Sequence, residues 1–346
     1  MNRYINGTDV TAFQKALSNA DKILILSHVN PDGDAVGSVT ALKNYLLSKG
    51  VNSTIILPNN YPDYLAFLDK KREIKIFRNE RECVIELVDS ADLIIAADFN
   101  ALQRVDELEC HILDSKAKKV LIDHHPDPQQ GLFDVIISNT EASSTCELIY
   151  WLLKAIEKDV NNFGRGTSEP LYVGLMTDTN NFSNSVNPET FSMASDLLSV
   201  GVNKDKLQHK VFGGFSQSRM RLMGHLLLNK MVVLDYFGAA FILLSLQEQK
   251  EFNYSEGDSE GFVNLPLGIK GVNVSAFFTE TKDHIRVSLR SVNDFSVNKF
   301  SNLHFNGGGH ERASGGKLFM PLDDVKSYFI KVLTSSFEEC GGVFPE

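Results

Sequence analysis

The chain has 346 residues, 43% hydrophobic and 23% charged, values that exclude a disordered or collagen-like class. Its length exceeds the roughly 100–200 residues of one domain and predicts two. Thirty-four basic against 44 acidic residues give a net charge of −10, which argues against a broad basic face for long duplex nucleic acid; a short anionic substrate, met by bound metal and a few focused cations, stays open.

Lys22–Leu26 is a continuous apolar run of the kind that forms a buried parallel strand. Ala35–Lys49 follows with Val36, Val39, Leu42 and Leu46 on one helical face, and Gly50 is a natural stop. Ser53–Leu57 reads as a strand, Arg81–Val88 as a helix, and Asp92–Ala97, Lys119–Ile122 and Asp134–Ile137 as further strands. Ser143–Ile156 and Pro188–Val200 read as helices. This alternation predicts an α/β fold with a doubly wound, mainly parallel sheet. From Asn203 to Asn229 the pattern is mostly helical and of mixed polarity, broken at Gly213-Gly214. Strand candidates at Gly238–Leu246, Val272–Phe278 and His284–Leu289, a glycine-rich loop and a helix around Asp323–Leu333 complete a second, smaller α/β domain. The expected division is residues 1–200, a helical linker 201–229, and residues 230–346.

No apolar run approaches the roughly 20 residues of a membrane span, and the polar segment Met1–Asp9 lacks an apolar signal core. A cytoplasmic location is the default expectation. Cys83, Cys110, Cys146 and Cys340 are too scattered for a zinc pattern or a disulfide framework and are expected to be reduced.

Polar strings stand where the apolar strands run out: His28-Val-Asn-Pro-Asp32-Gly-Asp34, Asp98 and Asp123-His124-His125. Ligands of open α/β sheets bind beyond the carboxyl ends of the strands, so residues about a hundred positions apart would meet in one crevice as a metal site. Each string has a plainer use. Asp-Gly favours turns, and an EF-hand is excluded because Val36 and Lys43 occupy ligand places of that loop. A lone aspartate such as Asp98 often caps a helix. Asp178 ends an apolar helix, where a negative charge is disfavoured. An acid and two imidazoles directly after a strand are harder to explain as a turn. In the second domain, Arg290 can clamp a phosphate, and Gly307-Gly308-Gly309-His310 can turn backbone N–H groups toward an anion.

Taken in order, these strings resemble the DHH phosphoesterase superfamily, named for the Asp123-His124-His125 motif, and the second domain resembles its DHHA1 type, marked by Gly-Gly-Gly-His. Without an added nuclease module, the chain looks most like its short-oligonucleotide phosphodiesterases and pAp phosphatases and the related cyclic-di-AMP or pApA phosphodiesterases. The resemblance implies that His28 and Asp32 hold one metal, that Asp34, His124 and Asp178 hold another, and that Asp98 bridges both. Asp98, Asp123, His124 and His125 form the implied catalytic group, with Asp123 orienting the imidazoles and His125 near the substrate phosphate. Arg290, Gly307, Gly308, Gly309 and His310 would bind substrate with His125. Asn180 and Asn306 depart from the family, which has glycine at both places.

Four carboxylates and two neutral imidazoles carry a formal charge near −4, which two divalent cations would cancel. Oxygen-rich, mixed-imidazole ligation suits Mn²⁺ or Mg²⁺, with Mn²⁺ favoured because it accepts histidine readily. A pair roughly 3.5–4 Å apart can hold a bridging hydroxide for in-line attack on phosphorus. The expected activity is metal-dependent hydrolysis of short oligonucleotides or small nucleotides, without long duplex or membrane partners, and with a homodimer implied by the resemblance alone. An inorganic pyrophosphatase or exopolyphosphatase shares the first domain's ligands, but its second domain should carry a basic string. A nucleotide sensor that has lost catalysis is a rival of another class.

Overall fold

The computed structural model describes residues 3–213, 215–255, 257–292 and 294–339; Gly214 and Cys340 lie outside them. The chain folds as two compact units, Met1–Gly214 and Phe215–Glu346.

The first unit runs α1 (Gly7–Ser18), β1 (Ile23–Leu26), α2 (Gly33–Ser48), β2 (Ser53–Leu57), β3 (Lys75–Ile76), α3 (Arg81–Asp89), β4 (Leu93–Ala97), α4 (Glu109–Asp114), β5 (Lys118–Asp123), β6 (Val135–Ser138), α5 (Thr145–Glu157), α6 (Gly164–Asp178), α7 (Pro188–Ser199) and α8 (Lys204–Phe212). The sheet is parallel throughout, in the order β3-β2-β1-β4-β5-β6. Alternate strand residues enter opposite cores. Ile23 and Ile25 pack with Val36, Leu42 and Leu171 of α2 and α6, whereas Leu24 and Leu26 pack with Val84 and Ile112 of α3 and α4. Both faces are covered, which explains why these strands are apolar at every position.

Helices α2 and α6 approach through small residues. A Cβ on Gly37 would lie 2.7 Å from the Pro170 carbonyl, and one on Gly33 would lie 2.4 Å from the Thr177 side chain. This contact brings the start of α2, with Asp34, beside the end of α6, with Asp178.

The second unit runs α9 (Gln217–His225, continued by a π-helical turn), β7 (Val232–Leu234), β8 (Ala239–Leu244), α10 (Leu246–Glu251), β9 (Val274–Glu280), β10 (Ile285–Ser291), α11 (Val297–His304), β11 (Gly308–His310), β12 (Ala313–Leu318) and α12 (Leu322–Glu339). Its sheet order is β11-β12-β10-β9-β8-β7, with only the β8–β9 pair parallel. In β10, Ile285, Val287 and Leu289 enter a core with α11 and α12, and Arg286, Ser288 and Arg290 alternate with them on the other face.

The stretch 201–229 is mostly helical and is shared between the units: Leu207 and Val211 of α8 are buried in the first unit's core, and Leu222 of α9 is buried in the second's. One expectation changes. The glycine-rich segment is not a loop, because Gly308–His310 pairs with Ala313–Gly315 across a two-residue hairpin. A Cβ on Gly307 would lie 1.9 Å from the Gly315 carbonyl, and one on Gly309 would lie 2.7 Å from that of Ala313. Those two glycines are required by close backbone approach. Cys83 and Cys110 are exposed and Cys146 is buried, all as free thiols. Among the described residues, no helix is long and apolar enough to cross a membrane.

Candidate metal centre

Adjacent strands β1, β4 and β5 release their chains at one edge of the first sheet. His28 follows β1, Asp98 follows β4, and Asp123 closes β5 just ahead of His124 and His125. Asp98 has a φ of 66°, a left-handed conformation that costs a non-glycine residue about 1–2 kcal/mol. Strain of this kind is retained where the surroundings over-determine it. The Asp98 amide donates to the Ile122 carbonyl at 3.1 Å, and its side chain is turned into the crevice, where the residue is 2% exposed.

The two Asp98 oxygens face different partners: Oδ2 lies 3.4 Å from His28 Nε2, and Oδ1 lies 3.8 Å from His124 Nε2. On its other side, His124 Nε2 is 3.3 Å from Asp178 Oδ2. Possible ligand atoms of His28, Asp32 and Asp98 lie within 4.8 Å of one another, as do those of Asp34, Asp98 and His124, and those of Asp98, Asp123 and His125. Neighbouring ligands about 2.1 Å from one octahedral ion stand roughly 3 Å apart, so these groups could hold a metal after small adjustments.

The histidine hydrogen bonds fit that use. His28 Nδ1 donates to the Val29 carbonyl at 2.8 Å and His124 Nδ1 to the Ala142 carbonyl at 3.2 Å. A carbonyl only accepts, so each Nδ1 carries the proton and each Nε2 presents a lone pair to the crevice. His125 Nδ1 instead bonds Asp123 Oδ1 at 2.7 Å. Asp123 thus braces His125, while a backbone carbonyl holds Nδ1 of His124. Asp123 Oδ2 is buried without a hydrogen bond.

Asp32 caps α2 through Oδ1, which accepts from the amides of Asp34 and Ala35, each at 3.0 Å. The turn use and the metal use of this residue are compatible because the cap engages one oxygen. Asp34 accepts the amides of Thr145 at 2.6 Å and Cys146 at 2.9 Å, the first two of α5, a favourable seat for a negative charge.

Crowding shows in the proton affinities. Burial, then the neighbouring Asp178, pushes the Asp34 carboxyl up to about 6. Burial and the charges of Asp34, Asp32, Asp178 and Asp123 raise Asp98 well above the ordinary carboxylate range. Burial lowers His28 to about 4 despite Asp32, with the Arg104 guanidinium adding to the shift, so the imidazole stays neutral and able to ligate. Burial also acts upward on Asp32, but His28 and the Ala35 amide outweigh it and hold the carboxyl low.

Arg104 and Thr145 carry no mark in the sequence strings. Arg104 is an exposed cation close enough to influence His28. Thr145 bonds Asp98. Its signal is a run of three hydroxyl residues, Ser143-Ser144-Thr145, one or two more than a helix cap needs. After Asp178, Asn180, Asn181 and Phe182 all have positive φ, 46°, 55° and 66°, and Asn306 has 48°. Both departures from the family's glycines thus fall at left-handed positions, where asparagine is the tolerated alternative.

In the second unit, register places His310, Ala313, Arg290 and Ser275 in one row across β11, β12, β10 and β9. Directly opposed residues share a face, so His310 and Arg290 stand on one face, two strands or roughly 10 Å apart. The Gly309 amide donates to Asn298 Oδ1 at 3.1 Å and is already engaged within the unit.

Models of two families match: the DHH family, N-terminal domain, over residues 22–175 and the DHHA1 domain over residues 237–338. A Streptococcus mutans protein named "Probable bifunctional oligoribonuclease and PAP phosphatase NrnA" is 30% identical over 92% of this chain and 97% of its own. The Bacillus subtilis protein named bifunctional oligoribonuclease and PAP phosphatase NrnA is 27% identical over 89% and 93%. The crystal structure of an exopolyphosphatase-related protein from Bacteroides fragilis superposes with a TM-score of 0.91 at 39% identity, covering 98% of this chain and 99% of that one. Strand-end carboxylates and imidazoles, both domain matches and near-full-length similarity agree that this chain belongs to the DHH–DHHA1 phosphoesterase superfamily.

Proposed function

We propose that the protein hydrolyses phosphoester bonds in very short oligonucleotides and small nucleotides, pApA and pAp among them, to mononucleotides, using two divalent cations with Mn²⁺ favoured over Mg²⁺. The observation that carries this reading is the placement of Asp98 between two ligand sets, with Oδ2 toward His28 and Oδ1 toward His124. His28, Asp32 and Asp98 would hold one ion, and Asp34, Asp98, His124 and Asp178 the other. Two divalent charges balance the four carboxylates and two neutral imidazoles, and a pair of ions supplies a nucleophile at neutral pH and neutralises the phosphate. The carbonyls of Val29 and Ala142 keep the two imidazoles in the ligating tautomer. His125, braced by Asp123, directs Nε2 away from that brace and can bond a phosphate oxygen. The residue types on the second unit's polar face, Arg290 and His310, suit the remaining phosphate or the nucleoside.

A second reading, hydrolysis of inorganic polyphosphate, is favoured by the name of the Bacteroides fragilis relative. One panel separates them: product release from pAp, pApA, cyclic-di-AMP, a five-nucleotide RNA, pyrophosphate and polyphosphate, with Mn²⁺ and with chelator. Metal-dependent cleavage of the nucleotides alone is the expected result. Cleavage of the inorganic compounds alone would overturn the nucleotide assignment, and tight nucleotide binding without turnover would make the protein a sensor.

A further inference from the structure

The turn from Ala142 to Cys146, at the entry to α5, touches three candidate ligands at once. The Ala142 carbonyl receives His124 Nδ1–H, the Thr145 and Cys146 amides hold Asp34, and Thr145 Oγ1 donates to Asp98 Oδ1 at 3.0 Å. On the other side, His28 and Asp32 are held by the Val29 carbonyl and the α2 amides. The turn therefore serves the His124 side.

Within it, Thr145 joins two ligands from different elements, taking Asp34 through its amide and Asp98 through its hydroxyl. The hydroxyl is not needed to cap α5, because Ser144 Oγ accepts the Glu147 amide at 3.0 Å. The residue is fully buried. A carboxylate oxygen has two lone pairs, so Asp98 Oδ1 can accept from Thr145 and still ligate. The hydroxyl thereby fixes rotation of the carboxylate about its own axis, which the β4 backbone does not.

We propose that Thr145 is a positioning residue for the ion held by Asp34, Asp98, His124 and Asp178, setting the direction in which Asp98 offers Oδ1. This inference rests on the two-ion reading above. Its test is calorimetric titration of Mn²⁺ into chelator-stripped wild type, Thr145→Val and Thr145→Ser, with free Mn²⁺ followed by electron paramagnetic resonance. Valine keeps the shape and removes the donor; serine keeps the donor. Wild type should bind two ions. Thr145→Val should bind one of them about 10–100-fold more weakly, and Thr145→Ser should match wild type. Equal affinities in Thr145→Val and wild type would overturn the role of Thr145, as would equal weakening in the serine variant, which would assign the effect to packing. Should the valine variant not fold, Thr145→Ala carries the same comparison with serine. A wild type that binds fewer than two ions would overturn the two-ion reading itself.

Discussion

A methyl group added at Gly174 tests whether the close contact of α6 with Cys146 of α5 and Asp34 of α2 sets the geometry of the centre. In an unhindered helix interior, Gly→Ala stabilises by about 1 kcal/mol. Here the new Cβ would lie 2.2 Å from Cys146 Sγ, 2.9 Å from Cys146 Cβ and 2.6 Å from Asp34 Oδ1. Ordinary contact begins near 3.4 Å, so the sulfur would have to retreat by 1.2 Å (3.4 minus 2.2). It has little room to do so: Sγ is 3.3 Å from Ser38 Oγ and 3.9 Å from the Pro170 carbonyl. Overpacking costs about 1–3 kcal/mol, and a required displacement of 1.2 Å belongs in the upper half of that range, about 2–3 kcal/mol, enough to reverse the propensity gain. Gly174→Ala should therefore destabilise the metal-free protein by about 1–2 kcal/mol in urea denaturation, and displacement of Asp34 should weaken Mn²⁺ binding at least about tenfold. Cys146→Ala removes the shortest contact, so the cost of Gly174→Ala should fall by about 1 kcal/mol in that background. A Gly174→Ala protein as stable as wild type, with unchanged metal affinity, would refute the claim that this contact positions Asp34.

Asp98→Ala should abolish turnover, since both ligand sets lose their shared member, whereas Arg290→Ala should raise KM about tenfold or more while kcat stays within a few-fold; equal, mild effects in steady-state kinetics would contradict the two roles. Glu248 provides a pH test remote from the centre. Burial raises its carboxyl, but His225 at 3.0 Å, the Ser245 amide and hydroxyl at 3.0 and 2.7 Å, and Lys230 at 3.0 Å outweigh this and bring it to about 2. Because the folded value lies below the unfolded one, the contribution is fully present above about pH 5 and is lost as pH falls through 4.5 toward 2. Screened by solvent, it should amount to about 2 kcal/mol, and Glu248→Gln should lower neutral-pH stability by that much while flattening the acid limb of the second unit's denaturation profile. An acid limb unchanged by the substitution would refute the assignment.

The parallel sheet was legible because its strands are buried on both faces: Ile23–Leu26, Leu93–Ala97 and Val120–Ile122 are apolar at consecutive positions and stop at a charged or polar group. Strands β11 and β12 were not legible. Their glycines have no β-propensity and pair because the backbones approach closely, a property of three-dimensional neighbours and not of any local period. Strand β3 has two residues and α11 eight, too few for a pattern to emerge. At the centre, residues at strand ends could be anticipated as a group because topology brings strand ends together. Thr145 was far less legible: its one trace is the surplus of hydroxyls in Ser143-Ser144-Thr145, and a hydroxyl at the start of an apolar helix looks like part of a cap whatever else it bonds. The partner of His124 could not be anticipated, because a backbone carbonyl leaves no trace in residue identity.

The position of Asp98, one oxygen turned to each side, also has a thermodynamic consequence. If two cations bind as proposed, a carboxylate fixed and charged by one near His28 would present its other oxygen at no further cost in ordering, so filling one side would raise affinity at the other. By linkage the enhancement would be reciprocal. Occupancy should then rise more steeply with cation concentration than two independent sites allow, with half-loaded molecules scarce. Asp98 would in that case act as a threshold element, keeping the centre either empty or complete as the supply of divalent metal varies.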